Sequence, residues 1–458
     1  MNNPGQQLET CRHFFRSGAT RPLAFRRERL LALRAALYKY EEAIYDALRA
    51  DLHKGPEEVW ITETGFVHTE ISLVLKKLRS WMKPQRVKTN LVNLPSASRV
   101  LSEPLGVVLV IGPWNYPLQL LFMPLVGAIA AGNCVVLKPS EFAPATAAVM
   151  KRIIGDTFPP EYVLFTEGDG AVVVPELMNA FTFDHVFYTG STSVGRLVYK
   201  MAADKLVPVT LELGGKSPCV IEADADIRVA AKRIMMTKFS NAGQMCVAPD
   251  HVLIHHTREQ EFIDECRKAL LHFFGEEAMA STEYGRIINR RQFDRLAGYL
   301  QEGKAALGGR HDATNLYIEP TLLTQVNIDS PVMREEIFGP LLPVIPFSKR
   351  AEAIAIIERN PNPLAFYIFT GSRANETWWL ERVSFGGGCV NNAALHLTNH
   401  ALPFGGRGFS GTGKYHGRYS FDTFSHQKAV MRTPTWFDPA MKYPPFKGKL
   451  NLFRRIIR

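Results

Sequence analysis

From Pro104 to Leu137 the chain carries no charged residue. A run this long is either buried on all sides or membrane-spanning. Gly112, Pro113, Asn115, Pro117, Gln119 and Pro124 interrupt it, so it reads as strand, turn, helix and strand packed inside a protein. Val107–Ile111 is continuously apolar, as in a parallel-sheet strand covered on both faces. Leu118–Ala131 suits a helix closed by Gly132, and Cys134–Leu137 a second strand.

The same alternation continues along the chain. Strands are expected at 163–166, 185–188 and 209–213, and helices at 144–154, 171–179 and 193–203. Past residue 216, strands at 219–221, 251–255, 365–370 and 388–391 alternate with helices at 227–240, 259–274 and 374–382. Strand alternating with helix implies open parallel sheets. At 458 residues the chain has room for two or three domains. Upstream, residues 23–52 and 57–81 carry helical spacing, and 84–104, with its three prolines, reads as an extended arm or hairpin.

Charge narrows the partners. The net charge is +10, but residues 71–102 and 441–458 hold 13 of the 54 basic residues and none of the 44 acids. The remaining 408 residues have 41 basic against 44 acidic. This is a nearly neutral body with a basic arm and a basic tail, and nucleic acid is not expected as a partner. On a helix starting at Phe446, the residues Phe446, Leu450, Phe453 and Ile457 form one apolar stripe flanked by Lys447, Arg454, Arg455 and Arg458. Such a tail can dock on a partner subunit, cover a substrate entrance, or lie on an anionic membrane; it is too short to span one. Six scattered cysteines without CxxC spacing and an N-terminus without an apolar signal segment fit a cytoplasmic protein, peripherally membrane-associated if the tail binds lipid. His251 and His255 share strand parity, but no acid or Cys completes a ligand set, so no metal site is expected.

Two segments imitate phosphate loops. Gly190-Ser-Thr-Ser-Val-Gly195 opens a helix after a strand, but Arg196 stands where a P-loop needs Lys, and Thr192 where a dinucleotide fingerprint needs Gly. Gly215-Lys216-Ser217 lacks the first glycine of a P-loop, because Thr210 occupies that position. What remains at Gly190 is a helix N-terminus that can meet a phosphate.

Three residues stand out chemically. Cys246 lies in a Gly-containing turn, off any strand or apolar stripe. Glu212 ends a buried apolar strand, where an unpaired carboxylate is costly; it is either exposed or paired at the strand end, or a general base with a raised pKa. Asn115 directly follows the strand 107–111, where its amide can cap a turn or donate to an oxyanion.

Seven segments then carry a resemblance, in one order along nearly the whole chain. They are Pro113-Trp-Asn-Tyr-Pro117, Lys138-Pro-Ser-Glu141, Thr189-Gly-Ser-Thr192, Leu211-Glu-Leu-Gly-Gly-Lys-Ser-Pro218, Asn241-Ala-Gly-Gln-Met-Cys246, Glu335-Glu-Ile-Phe-Gly-Pro340 and Pro403-Phe-Gly-Gly406. The chain resembles the aldehyde dehydrogenase superfamily, in its class 3 and fatty aldehyde dehydrogenase-like branch. The resemblance implies an α/β protein of two Rossmann-like open-sheet domains: 1–83 with 103–211 for the cofactor, and 212–396 for catalysis. It further implies a bridging, oligomerising β-arm from 84–102 and 397–432, ahead of the tail at 433–458, and a homodimer.

The implied activity is NAD(P)-dependent oxidation of a medium- or long-chain aliphatic, or aromatic, aldehyde to the acid. Cys246 is the implied nucleophile. Asn115 and the Cys246 N–H would hold the oxyanion, and Glu212 would activate the water that hydrolyses the thioester. Lys138 and Glu141 would hold the adenosine ribose, Gly190 and Ser191 would lie by the pyrophosphate, and Glu336 would hold the nicotinamide ribose. Phe338 would pack beside the nicotinamide, with Trp114 a further cofactor contact. Glu141 favours NAD by repelling a 2′-phosphate, although this branch also accepts NADP. A coenzyme A-acylating enzyme and a non-catalytic scaffold are the alternatives. Glu212 argues against the first, and the intact Cys246, Glu212 and Asn115 against the second. Met245, Arg407 and Asn392 depart from the usual pattern, and Met245 adjoins the thiol.

Overall fold

The computed structural model describes residues 4–457. Every residue of Val107–Ile111, Cys134–Lys138 and His185–Thr189 is buried, because the sheet they share is covered on both faces. Its six strands run in the order Gly411–Thr412, Val209–Glu212, His185–Thr189, Val107–Ile111, Cys134–Lys138 and Val163–Phe165. Neighbours are parallel except for Gly411–Thr412. The chain builds from Val107–Ile111 outward to Val163–Phe165, then returns to lay His185–Thr189 on the other flank. Strand order therefore reverses between Val107–Ile111 and His185–Thr189, and a crevice opens there at their carboxyl ends.

A second sheet of seven strands follows: Lys304–Leu307, Thr321–Thr324, Leu341–Phe347, His251–His255, Pro218–Ile221, Ala365–Phe369 and Gly387–Val390. Only Lys304–Leu307 is antiparallel. A separate three-stranded antiparallel sheet joins Gln85–Val87, Ala97–Pro104 and Ser425–Arg432. The proline-marked arm is thus a hairpin that receives a strand from the far end of the chain.

Helix Gln119–Ala131 is buried on every side, so its ends need partners from within the protein. Gly132, at φ 95°, closes the C-terminus, and buried Arg26 donates to the Ala130 carbonyl at 2.9 Å. At the other end Glu63 accepts the N–H groups of Leu118 (3.1 Å) and Gln119 (2.9 Å).

Three segments differ from the sequence expectation. The helical stretch 23–52 is two helices, Leu23–Lys39 and Glu41–Leu52, broken at Tyr40. Between Pro56–Val59 and Gly65–Trp81 lies one π-helical turn, Trp60–Thr64. In the tail, helix Leu450–Ile456 leaves Phe446 and Lys447 outside, because Gly448 at φ 84° interrupts the turn before it. Phe446 still meets Phe453, ring centroids 5.8 Å apart. Trp436, Tyr443, Leu450 and Ile457 are exposed. Among the described residues no helix is long and apolar enough to cross a membrane, and no group of three side chains could hold a metal ion.

Candidate active site

Helix Ile227–Phe239 delivers the chain into a tight turn, Ser240–Gly243, where Asn241 and Ala242 both have φ 50° and Gly243 has φ 76°. Left-handed backbone at non-glycine residues costs of order 1–2 kcal/mol each, so the surroundings must enforce it. Glu58 accepts the Asn241 N–H at 2.8 Å and the Ser240 hydroxyl at 3.1 Å. The Asn241 amide donates to the Asn115 carbonyl at 2.8 Å. Gln244 donates to the Asn241 and Arg286 carbonyls and accepts the Ile288 N–H. A Cβ on Gly243 would strike the Gly339 carbonyl, so the turn lies directly on the Phe338–Pro340 segment.

This turn leaves Cys246 half-buried between two cavities. One, of about 590 Å³, is walled by Trp114, Gly190, Ser191, Gly214, Glu336 and Phe338, with Asn115 and Glu212 also facing it. The other, of about 350 Å³, is an apolar tunnel lined by Phe66, Leu120, Met236, Met245, Leu395 and Leu397 among others. Met245, one of the departures from the family pattern, thus stands on the tunnel side.

Glu212 is the last residue of its strand and is 2% exposed, and neither carboxylate oxygen has a hydrogen-bond partner. It is neither exposed nor paired, and burial pushes its pKa well above the carboxylate range. Burial, then the carboxylates of Glu336 and Glu212, push the Cys246 thiol up to about 12. The thiol is therefore held protonated at neutral pH. The Asn115 amide spends one N–H on the Gln244 carbonyl, at 3.0 Å, leaving its second for a ligand.

The large cavity fits a dinucleotide. Ser191 caps helix Thr192–Ala203, whose N-terminus forms part of the wall. Added Cβ atoms on Gly190 and Gly214 would collide with Tyr188 and the Glu336 carboxylate, so the wall stays open to close approach. Burial, then Asp250, raise Glu336 to about 8. Trp114 and Phe338 meet edge to face at 5.3 Å. Lys138 and Glu141 do not line this cavity. They lie farther along the same sheet edge, 3.2 Å apart, with Glu141 also accepting the Gly170 N–H at 3.2 Å. They suit a ribose, and an exposed carboxylate disfavours a 2′-phosphate there.

Several supporting residues were given no role by the sequence. Lys216, from the P-loop-like tripeptide, is fully engaged: it pairs with Asp250 and donates to the Val332 and Glu335 carbonyls. Asp250 in turn accepts the Ile337 N–H at 2.8 Å, which fixes the segment carrying Glu336 and Phe338. Arg295 donates to the Ile337 carbonyl at 2.7 Å. Lys54 and Glu63 form a completely buried ion pair behind Asn115; removing one partner of such a pair costs about 3–5 kcal/mol. His185, by contrast, is a core residue, 3.0 Å from the Thr210 hydroxyl and lowered to about 4 by burial.

The sequence profile of the aldehyde dehydrogenase family matches residues 6–430. The chain belongs to this family. This aldehyde dehydrogenase is 42% identical over 460 residues to 4,4′-diaponeurosporen-aldehyde dehydrogenase of Staphylococcus aureus, with all of both chains covered. It is 41% identical over 456 residues to a dimeric NADP-preferring aldehyde dehydrogenase of Canis lupus familiaris, covering 98% of this chain and 100% of that one. The solved structure of the substrate-bound Staphylococcus aureus AldH superposes with a TM-score of 0.97 at 42% identity, again over 100% of both chains. The aldehyde dehydrogenase fold and NAD(P)-dependent oxidation of an aldehyde to the acid are therefore properties of this chain.

Proposed function

We propose that Cys246 is the nucleophile toward an aldehyde that enters through the apolar tunnel, while NAD(P) occupies the glycine-walled cavity. The observation that carries this reading is the position of one thiol between an apolar and a polar cavity, with an unpartnered buried carboxylate in the polar one. As the S–C bond forms, the thiol proton leaves to Glu212, whose raised pKa makes it a competent acceptor. The carbonyl oxygen becomes an oxyanion held by the Asn115 amide and the Cys246 N–H. Bound NAD(P) supplies the hydride acceptor and, in its oxidised form, a positive charge. After hydride loss Glu212 passes that first proton to solvent and is again a carboxylate. It then takes a proton from water, hydroxide adds to the thioester carbon, and the C–S bond breaks to release the acid, with Glu212 returning its proton to the departing thiolate. A hydrolytic base in this position favours release to water over transfer to coenzyme A.

The substrate class follows from the tunnel. Its lining is mainly aliphatic, aromatic and thioether side chains with a few hydroxyl and amide groups such as Thr237 and Gln119, and its rim exposes Ile61, Met236 and Leu395. Medium- or long-chain aliphatic aldehydes and aromatic aldehydes fit such a surface. Each buried methylene is worth ~0.8 kcal/mol, so kcat/KM should rise about three- to fourfold per carbon in a straight-chain series until the tunnel is filled. A flat profile from two to ten carbons would overturn this assignment. The same series run with both cofactors tests the preference for NAD that Glu141 supports.

Two surface features extend the reading. Ser425–Arg432 and Gly387–Val390 are both sheet edges, which supports a homodimer joined through strand pairing; sedimentation giving a monomer would contradict it. The exposed aromatic and aliphatic residues of 436–457, set among Lys442, Lys447, Lys449, Arg454 and Arg455, support a peripheral contact with anionic membrane. Truncation after Asp438 should then weaken binding to phosphatidylserine vesicles, and unchanged binding would remove this contact.

A further inference from the structure

Lys54 and Glu63 have no solvent exposure. The Lys54 ammonium donates to Glu63 at 2.8 Å and to the main-chain carbonyl of Asn115 at 3.0 Å, and lies 3.9 Å from the centroid of the Tyr116 ring. The second Glu63 oxygen accepts the N–H groups of Leu118 and Gln119. One ion pair thus holds the 115–119 segment at both ends. The Asn241 amide is the second donor to the Asn115 carbonyl, which ties that segment to the turn presenting Cys246.

Stability alone does not explain a pair placed here. Desolvating two charges roughly cancels their attraction, and apolar residues of the same volume would pack as well. What the charges add is direction: three donor–acceptor contacts that specify one main-chain path. The segment carrying Glu63 is itself unusual. Trp60–Thr64 is a π-helical turn, and a Cβ on Gly65 would strike the Trp60 carbonyl. The extra residue lets Ile61 and Thr62 line the tunnel while Glu63 faces the interior.

We propose that Lys54 and Glu63 are positioning residues for the oxyanion hole: by fixing the main chain of 115–119, they bring the Asn115 amide onto the carbonyl oxygen of the aldehyde held at Cys246. This inference rests on the role given to Asn115 above. A misplacement of such a donor by an ångström is enough to slow an enzyme about 100-fold.

The test is a mutant cycle read in kcat. Lys54→Met should lower kcat by about 10- to 100-fold and leave KM for NAD(P) within about twofold. In an Asn115→Ala background the same substitution should cost less than about twofold, because the amide it positions is gone. Lys54→Met leaves Glu63 buried alone. If that variant does not fold, the paired Lys54→Met/Glu63→Leu variant, which buries no lone charge, carries the same cycle. Wild-type kcat in whichever variant folds, or an equal loss with and without Asn115, would overturn the proposal. Wild-type kcat in Asn115→Ala alone would overturn the role of Asn115 and this inference with it. A loss there combined with additive behaviour at Lys54 would remove only this one.

Discussion

The two cavities that meet at Cys246 are built by opposite means. The side proposed for the cofactor combines bare main chain at Gly190 and Gly214 with polar and charged side chains such as Ser191, Arg295 and Glu336. The tunnel side is made of bulk, with Phe66, Met236, Met245 and Leu397 drawn from separate segments of the chain. At those two glycines an added Cβ has no room, because it would meet Tyr188 or the Glu336 carboxylate. A wall of flexible side chains repacks, and thioethers repack most easily. The first should be all-or-none toward its ligand and the second graded.

The largest effect should come where both cavities meet. Cys246→Ser should reduce aldehyde oxidation by about 10⁴-fold or more, while NAD(P) affinity by calorimetry stays within about twofold; a fully active variant would end the nucleophile assignment. Glu212→Gln should lower kcat by about 10²- to 10⁴-fold and accumulate a thioester visible by intact mass. Because burial raises the Glu212 pKa, the carboxylate form needed as base is lost as pH falls through that raised value. Wild-type kcat should therefore climb toward alkaline pH, and a plateau reaching down to pH 5 would contradict the base.

On the cofactor side alone, Gly214→Ala forces a Cβ onto the Glu336 carboxylate. It should raise KM for NAD(P) by about tenfold, taking an overpacking cost of ~1–3 kcal/mol, without changing the chain-length slope for aldehydes. On the tunnel side, Met236→Trp should lower kcat/KM for long-chain aldehydes by about three- to tenfold and leave short ones and the cofactor untouched. If Gly214→Ala altered chain-length preference, or Met236→Trp altered cofactor KM, the two cavities would not be independent.

The same contrast explains what the sequence made legible. Motifs on the cofactor side are contiguous, because a strand end, a turn and a helix N-terminus occur together in the chain. Asn115, Gly190, Ser191 and Glu212 could therefore be picked out by position. The tunnel lining has no spacing rule, because its residues come from helices and loops far apart in sequence. Lys54 and Glu63 were invisible for a different reason: Lys54 lies in the short connector between two helical stretches and Glu63 within the second, where both look like ordinary surface charges, and only the π-helical turn at 60–64 carries Glu63 inward. Strand Leu341–Phe347, central in its sheet, holds Pro343 and Pro346. A rule that confines proline to sheet edges hides such a strand. The tail helix was foreseen one turn too early, because the apolar spacing runs through Gly448 without registering its left-handed backbone.

The late return of the chain has a consequence for synthesis. Gly411–Thr412 supplies the flank of the Glu212 strand, and Ser425–Arg432 completes the hairpin arm begun at residue 85. On the ribosome, a nascent chain shorter than about 410 residues therefore presents the first sheet with an open edge and the arm without its third strand. The strands of the seven-stranded sheet are all made by residue 390, whereas the six-stranded sheet begun earlier still lacks one. A late-made segment closes the first-made sheet, and until it emerges that sheet's open edge is a risk for aggregation.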